Sequence, residues 1–86
     1  MSTPCERAVI MIERQIEQIR ISDYPNSEFC QGMIQANYAQ GFIDERQVEV
    51  YEQLASDAVL TRRRALHRSD MDRKLRALNQ LYVGAA

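Results

Sequence analysis

Nucleophiles and metal ligands are scarce in this chain of 86 residues, which contains two cysteines and one histidine. Cys5 or Cys30 would need a neighbouring base and a group that orients the base, and no local motif supplies either. The spacing of these cysteines and His67 also matches no zinc-ligand pattern. Both cysteines fall on predicted apolar helix faces, and we therefore expect them to be core thiols.

Carboxylate pairs are the other arrangement that could support acid–base chemistry. Glu45, Glu49 and Glu52 recur at helical spacing, which is more typical of a solvated helix face than of a catalytic pair. The glycines are isolated and form no phosphate-binding loop. We predict that the protein is not an enzyme and that it uses no cofactor and no metal.

Arginine is concentrated in the segment from Arg62 to Arg68. This cluster could contact a nucleic-acid phosphate backbone. It could instead anchor to an acidic protein surface, of this chain or of a partner, or form a solvated face near the negative end of a helix dipole. Nucleic-acid binding is the least favoured, because the whole chain is slightly acidic and no aromatic residue lies among the arginines.

Charge is distributed unevenly along the chain, although the net charge is only −1. Residues 1–61 hold four basic and ten acidic side chains, whereas residues 62–86 hold seven basic and two acidic side chains. An acidic body followed by a basic C-terminal quarter favours head-to-tail association or binding to a charged partner.

Composition places the chain among soluble globular proteins, with 45% hydrophobic and 27% charged residues. So short a chain buries only roughly 60% of its unfolded surface, and self-association would relieve this marginal core. No apolar run reaches the roughly 20 residues that span a bilayer, and the N-terminus lacks the features of a secretion signal. We expect a cytoplasmic protein without membrane contact.

Capping residues mark where the helices start. Thr3 and Glu6 form a predicted capping box around Pro4, and Asp44 forms a second with Gln47. These signals, together with apolar spacing, predict an all-α fold of three or four helices. We expect a single domain, a helical hairpin or bundle, assembled as a homo-oligomer. The predicted helices lie at about residues 4–21, 27–40, 45–67 and 70–83.

The boundary between the last two predicted helices rests on helical phase. Gly41 suits the left-handed residue after the second helix, and no glycine or proline follows it until the C-terminal end. At about 100° per residue, the apolar stripe of residues 48–66 and that of residues 71–82 point to opposite sides. We therefore favour a break at His67 to Ser69. The alternative is a continuous helix whose two faces meet different partners in an oligomer.

Three apolar side chains of the first helix lie outside its apolar seam. Ile10 and Ile21 fall nearly opposite the seam, and Met11 lies well to one side. Scattered surface hydrophobic residues are normal, but a small monomer would hide these three poorly. We predict that they form an oligomer interface, in a symmetric dimer or tetramer.

Four segments of the chain can be compared with known proteins. They are the apolar seam from Cys5 to Ile19, the helical stretch from Phe29 to Tyr38, the turn from Gly41 to Gln47, and the arginine-rich segment from Arg62 to Arg68. With these segments, its size and its helical make-up, the chain resembles small phage-encoded regulatory proteins, most of all the antirepressors of temperate phages. The resemblance implies a protein that binds a phage repressor and disables it in the host cytoplasm. Anti-CRISPR proteins are similar in the same respects.

The predicted function is therefore inhibition of a transcriptional repressor by protein binding, through apolar anchors surrounded by charged side chains. The alternatives are a nucleic-acid-binding regulator that uses the Arg62–Arg68 cluster, another phage inhibitor such as an anti-CRISPR protein, or a scaffolding oligomer. The predicted anchors are Tyr24, Phe29 and Tyr51, and the predicted rim contacts are Arg63, Arg64 and Arg68.

Overall fold

The computed structural model describes residues 3–84 of the chain. Three α-helices follow one another in this range: α1 (Pro4–Ile21), α2 (Glu28–Ala39) and α3 (Glu45–Gly84). This described range contains no strand, so the prediction of an all-α fold is confirmed. The predicted bounds of the first two helices agree with those of α1 and α2 to within one residue.

The predicted capping boxes at the starts of α1 and α3 are both present. The Thr3 hydroxyl accepts a hydrogen bond from the Glu6 backbone N–H at 3.1 Å, and the Glu6 carboxylate accepts one from the Thr3 N–H at 3.2 Å. Asp44 and Gln47 exchange the equivalent bonds at 2.8 and 2.9 Å. Each box satisfies two backbone donors that the first helical turn leaves without partners.

The end of α2 explains why a glycine occupies position 41. Gly41 has φ +78°, the left-handed conformation that costs a residue with a β-carbon. Its N–H bonds the Tyr38 carbonyl at 3.0 Å, and the Phe42 N–H bonds the Asn37 carbonyl at 2.9 Å. This pair of bonds is the Schellman motif, so the predicted left-handed glycine is confirmed.

The predicted break at His67 to Ser69 is absent, and α3 continues through it as one helix of 40 residues. No glycine or proline interrupts this stretch, and an ion pair of 3.3 Å between Asp70 and Lys74 supports the following turn. The two apolar stripes do point to opposite sides of α3. The helix leaves the second stripe exposed instead of bending to bury it.

Eleven buried side chains form the hydrophobic core where the three helices meet. Four come from α1, two from α2, one from the turn before α3, and four from α3. They are Ala8, Ile12, Ile16, Ile19, Cys30, Ile34, Ile43, Tyr51, Ala55, Ala58 and Val59. Val59 is the last of them, so the core ends before the middle of α3.

α1 and α3 run in the same direction, and the second half of α3 projects beyond the core. Cys5, near the start of α1, lines the same cavity as Asp44, just before α3. Ser22, just after α1, contacts Arg62. A helix of 40 residues is about 60 Å long, and the molecule measures 67 × 25 × 15 Å. We refer to residues 64–81 as the distal segment, in which all side chains are exposed except half-buried Leu66.

Candidate protein-binding surfaces

Two arginines of the predicted cluster bind the loop between α1 and α2. The Arg62 Nε donates a hydrogen bond to the Ser22 carbonyl at 2.8 Å, and its Nη2 lies 3.7 Å from the Asp23 carboxylate. The Arg63 Nη2 donates to the Pro25 carbonyl at 3.4 Å. Arg62 and Arg63 therefore anchor to their own chain, which is one of the interpretations that the sequence left open.

These contacts hold Tyr24 at a fixed place on the surface. The Tyr24 side chain is 90% exposed, while the neighbouring Pro25 is buried. The Tyr24 backbone N–H donates to the Ser22 hydroxyl at 3.1 Å. The loop backbone is thus bonded on both sides of Tyr24, and its ring points into solvent.

Apolar groups lie around this loop. Phe29, in the first turn of α2, and Leu60 of α3 are exposed. Leu60 and Arg63 line a shallow cavity of about 480 Å³ together with residues 26–28. We call residues 22–29, with Leu60 and Arg63, the corner surface. It contains two of the predicted anchors, Tyr24 and Phe29, and one of the predicted rim arginines.

Tyr51, the third predicted anchor, lies in the core instead. Its side chain is only 9% exposed, and its hydroxyl lies 3.5 Å from a carboxylate oxygen of Glu13, a long hydrogen bond. Burial, and then the charge of Glu13, raise the pKa of Tyr51. Tyr51 occupies the same face of α3 as Ala55 and Ala58, so its aromatic ring packs inside the protein and is not available to a partner.

Arg64 and Arg68 do not join Arg63 in a single rim. At about 100° per residue, they lie about 100° and 140° around α3 from Arg63. Both side chains are exposed. Within the described range, neither makes a hydrogen bond or an ion pair with another residue. They belong to the distal segment and point away from the corner surface.

The three predicted interface residues of α1 are exposed. Ile10 and Ile21 share one face of α1, toward opposite ends of the helix, and Met11 lies on another side. Ile10 lines a groove between α1 and α3. Met11 lines a cavity between α1 and α2, beside Asn37. Ile21 ends α1 near the corner surface and is 68% exposed. The role of these three residues in an oligomer interface stays a prediction.

An exposed apolar stripe on the distal segment was not among the predicted sites. Met71, Leu75 and Leu78 follow one another at spacings of 4 and 3, and all three are exposed. We call these three residues the distal stripe. The sequence carried the signal, since the phase difference that suggested a break also describes a straight helix with a second apolar face.

The two cysteines have different environments. Cys30 is buried in the core, and its burial raises the pKa of its thiol. Cys5 is exposed in the first turn of α1, so the prediction of a core thiol is wrong for this residue. Cys5 lines an open cavity of about 640 Å³ at the start of the groove between α1 and α3.

Among the described residues, histidine, cysteine, aspartate and glutamate form no group of three or more that could hold a metal ion. Nor does any helix in that range have the length and apolar character needed to cross a membrane. Comparison with protein-family models, curated proteins and solved structures found no match to this chain.

Removal of the Arg62 side chain is expected to destabilise the fold. Arg62→Ala deletes the hydrogen bond to the Ser22 carbonyl and the packing of the arginine stem, which should lower the free energy of unfolding by about 1–2 kcal/mol. Arg64→Ala is the matched control, because Arg64 is exposed without such a bond, and should change stability by less than about 0.5 kcal/mol. Urea denaturation followed by circular dichroism measures both, and equal losses would contradict the anchoring role of Arg62.

Proposed function

We propose that the protein is a non-enzymatic regulator that acts by binding another protein, as an antirepressor that inactivates a transcriptional repressor. The observation that carries the protein-binding role is an almost fully exposed tyrosine, Tyr24, on a loop that two arginines hold in place. The repressor as partner, and the phage context, are supported by the resemblance in size and helical make-up.

The corner surface suits a binding role because its backbone is already ordered. Association loses free energy when loops and side chains must be immobilised, and a fixed loop avoids part of that cost. Tyrosine and arginine are also the side chains that contribute most often to binding hot spots. Tyr24 would enter a pocket of the partner, with Phe29 and Leu60 as apolar surroundings and Arg63 at the edge.

Self-association is part of the proposed function. The core of a chain this short is marginal, and apolar side chains remain exposed on α1 and on the distal segment. We propose that the protein acts as a homo-oligomer in the cytoplasm and presents a corner surface on each copy.

The proposed function predicts that Tyr24→Ala weakens partner binding. Loss of a hot-spot tyrosine should raise the dissociation constant about 30-fold or more, corresponding to about 2 kcal/mol. The partner is first captured from a lysate of the source organism by the tagged protein and identified by mass spectrometry. Its affinity for the purified wild-type and variant proteins is then measured by calorimetry.

Tyr38→Ala is the matched control, because Tyr38 is an exposed tyrosine of α2 outside the corner surface. It should leave the dissociation constant unchanged. If the partner is a repressor, the wild-type protein should also release it from its operator in a gel-shift assay, and Tyr24→Ala should not. Equal affinity of the wild-type protein and the Tyr24→Ala variant would overturn the role of the corner surface. A captured partner that binds no DNA would overturn the antirepressor proposal.

A further inference from the structure

The distal segment has an apolar face that its own chain does not cover. The last core residue of α3 is Val59, and the helix continues to Gly84. The distal stripe faces the side of α3 opposite the core, and Leu75 at its centre is 53% exposed. Most of the stability of helices in proteins comes from packing of an apolar face, so packing of the stripe against a partner would stabilise the distal segment.

A groove between α1 and α3 offers apolar surface and charged side chains to which the distal segment could bind. Two adjoining cavities, of about 640 and 380 Å³, share Ile10. Val9, Ile10 and Leu54 supply apolar surface along them. We call the two cavities together the α1–α3 groove. Its charged lining residues are Glu6, Glu13, Glu17, Asp44, Arg14 and Arg20.

Charge favours the groove over a second distal segment as the binding site. The α1–α3 groove is lined by four carboxylates and two arginines, and one of these arginines, Arg20, already pairs with Glu17. The distal segment carries five basic and two acidic side chains. Two distal segments packed against each other would bring like charges together, whereas a distal segment in the groove would meet opposite charge.

We propose that the distal segment of one copy lies in the α1–α3 groove of a second copy, and that the exchange is reciprocal in a twofold symmetric dimer. The distal segment and α1 each contain 18 residues, or about 27 Å of helix, so their lengths match. A reciprocal contact closes the assembly, because each copy supplies one helix and one groove.

Twofold symmetry also sets the direction and the approximate register of the contact. With the axis near Arg63, the two α3 helices run antiparallel, and the distal end of one copy lies beside the start of α1 in the other. Since α1 and α3 are parallel within a copy, Leu78 of the second copy falls near Ile10. Arg68 of the second copy falls near Glu17. This dimer rests on the self-association included in the proposed function.

Analytical ultracentrifugation of the 10.0 kDa chain tests the dimer. The wild-type protein is expected to form dimers as its concentration rises. Leu75→Asp places a charge in the apolar contact and should raise the dimer dissociation constant about 100-fold or more. Helical circular dichroism confirms that the core of this variant is folded. A wild-type protein that stays monomeric at every concentration overturns the proposal.

Exchanging the charges of Arg68 and Glu17 tests whether the distal segment lies in the α1–α3 groove. Arg68→Glu and Glu17→Arg should each raise the dimer dissociation constant about tenfold, and the double variant should restore it. Arg73→Glu is the matched control, because it makes the same charge change on the opposite side of α3, and it should leave the dimer intact. Equal weakening by Arg68→Glu and Arg73→Glu, or no rescue in the double variant, overturns the assignment of the groove.

Cross-linking tests the antiparallel direction with the native thiol of Cys5. In the variant Leu81→Cys, a short bismaleimide should join Cys5 of one copy to position 81 of the other. The two positions lie near opposite ends of a 67 Å molecule, so a short linker cannot join them within one chain. A link between position 81 of both copies, without links to Cys5, would indicate paired distal segments and overturn the proposal.

The proposed dimer and the proposed protein-binding role can be tested independently of each other. Leu75 lies outside the corner surface, so capture of the partner by Leu75→Asp can be measured independently of the dimer. A monomeric wild-type protein that still binds its partner through Tyr24 overturns the dimer and leaves the corner surface supported. A dimeric wild-type protein whose partner binding is insensitive to Tyr24→Ala supports the dimer and contradicts the corner surface.

Discussion

The Ile12→Ala variant is expected to lose about 3 kcal/mol of its free energy of unfolding. Ile12 is 0% exposed and lies in α1 at the centre of the single core. Shortening it removes buried apolar surface and leaves a cavity that neighbouring helices fill only in part. Small domains are stable by only about 5–15 kcal/mol, so this one change removes a large share of the total.

Ile21→Ala is the matched control for this loss. It makes the same substitution in the same helix, but Ile21 is 68% exposed, so its removal should change stability by less than about 0.5 kcal/mol. Urea denaturation followed by the helical circular dichroism signal measures both variants in one experiment. Similar losses for the two variants would show that Ile12 is not the centre of the core.

Local features of this fold were predictable because they depend on residues close in sequence. The Asp44–Gln47 capping box and the left-handed Gly41 each involve side chains or backbone groups within a few positions. Such contacts depend mainly on neighbouring residues, so residue type and spacing suffice to predict them. The all-α class follows from the same local signals, repeated along the chain.

Contacts between distant segments were not predictable in this way. The bond from Arg62 to Ser22 spans 40 residues. Helical phase places Arg62 on the apolar stripe of residues 48–66 and Arg64 off it, but it does not identify Ser22 as the partner. Tyr51 belongs to the apolar stripe of residues 48–66 and is also a predicted anchor, because a tyrosine at helical spacing fits a buried or an exposed position. Only the packing of α1 against α3 decides that its ring is buried, with its hydroxyl near Glu13.

The continuity of α3 shows where an inference from phase was incomplete. Two apolar stripes on opposite faces fit two short helices or one long helix with an exposed face. A break at Ser69 would be required only if both stripes were buried within one chain. In the proposed dimer the distal stripe packs against a second copy, and no bend at Ser69 is required.

Proline at position 70 is expected to separate the two halves of α3. If a helix began after a cap at Ser69, residue 70 would be its first position, where proline is well tolerated. In the continuous α3, proline removes an i→i−4 hydrogen bond and clashes with the preceding turn, at a cost of about 3 kcal/mol. The Asp70→Pro variant should therefore lose about a quarter of the helical circular dichroism signal, because the part of α3 after residue 70 is too short to form a stable helix on its own.

Asp70→Ala is the control, since it removes the exposed ion pair with Lys74 but keeps the helix, and it should leave the signal unchanged. The core ends at Val59, so the urea midpoint of Asp70→Pro should stay close to that of a monomeric Leu75→Asp protein. An unchanged helical signal in Asp70→Pro would instead mean that α3 is interrupted at Ser69. Loss of the dimer together with retention of the core would assign the first half of α3 to folding and the distal segment to association.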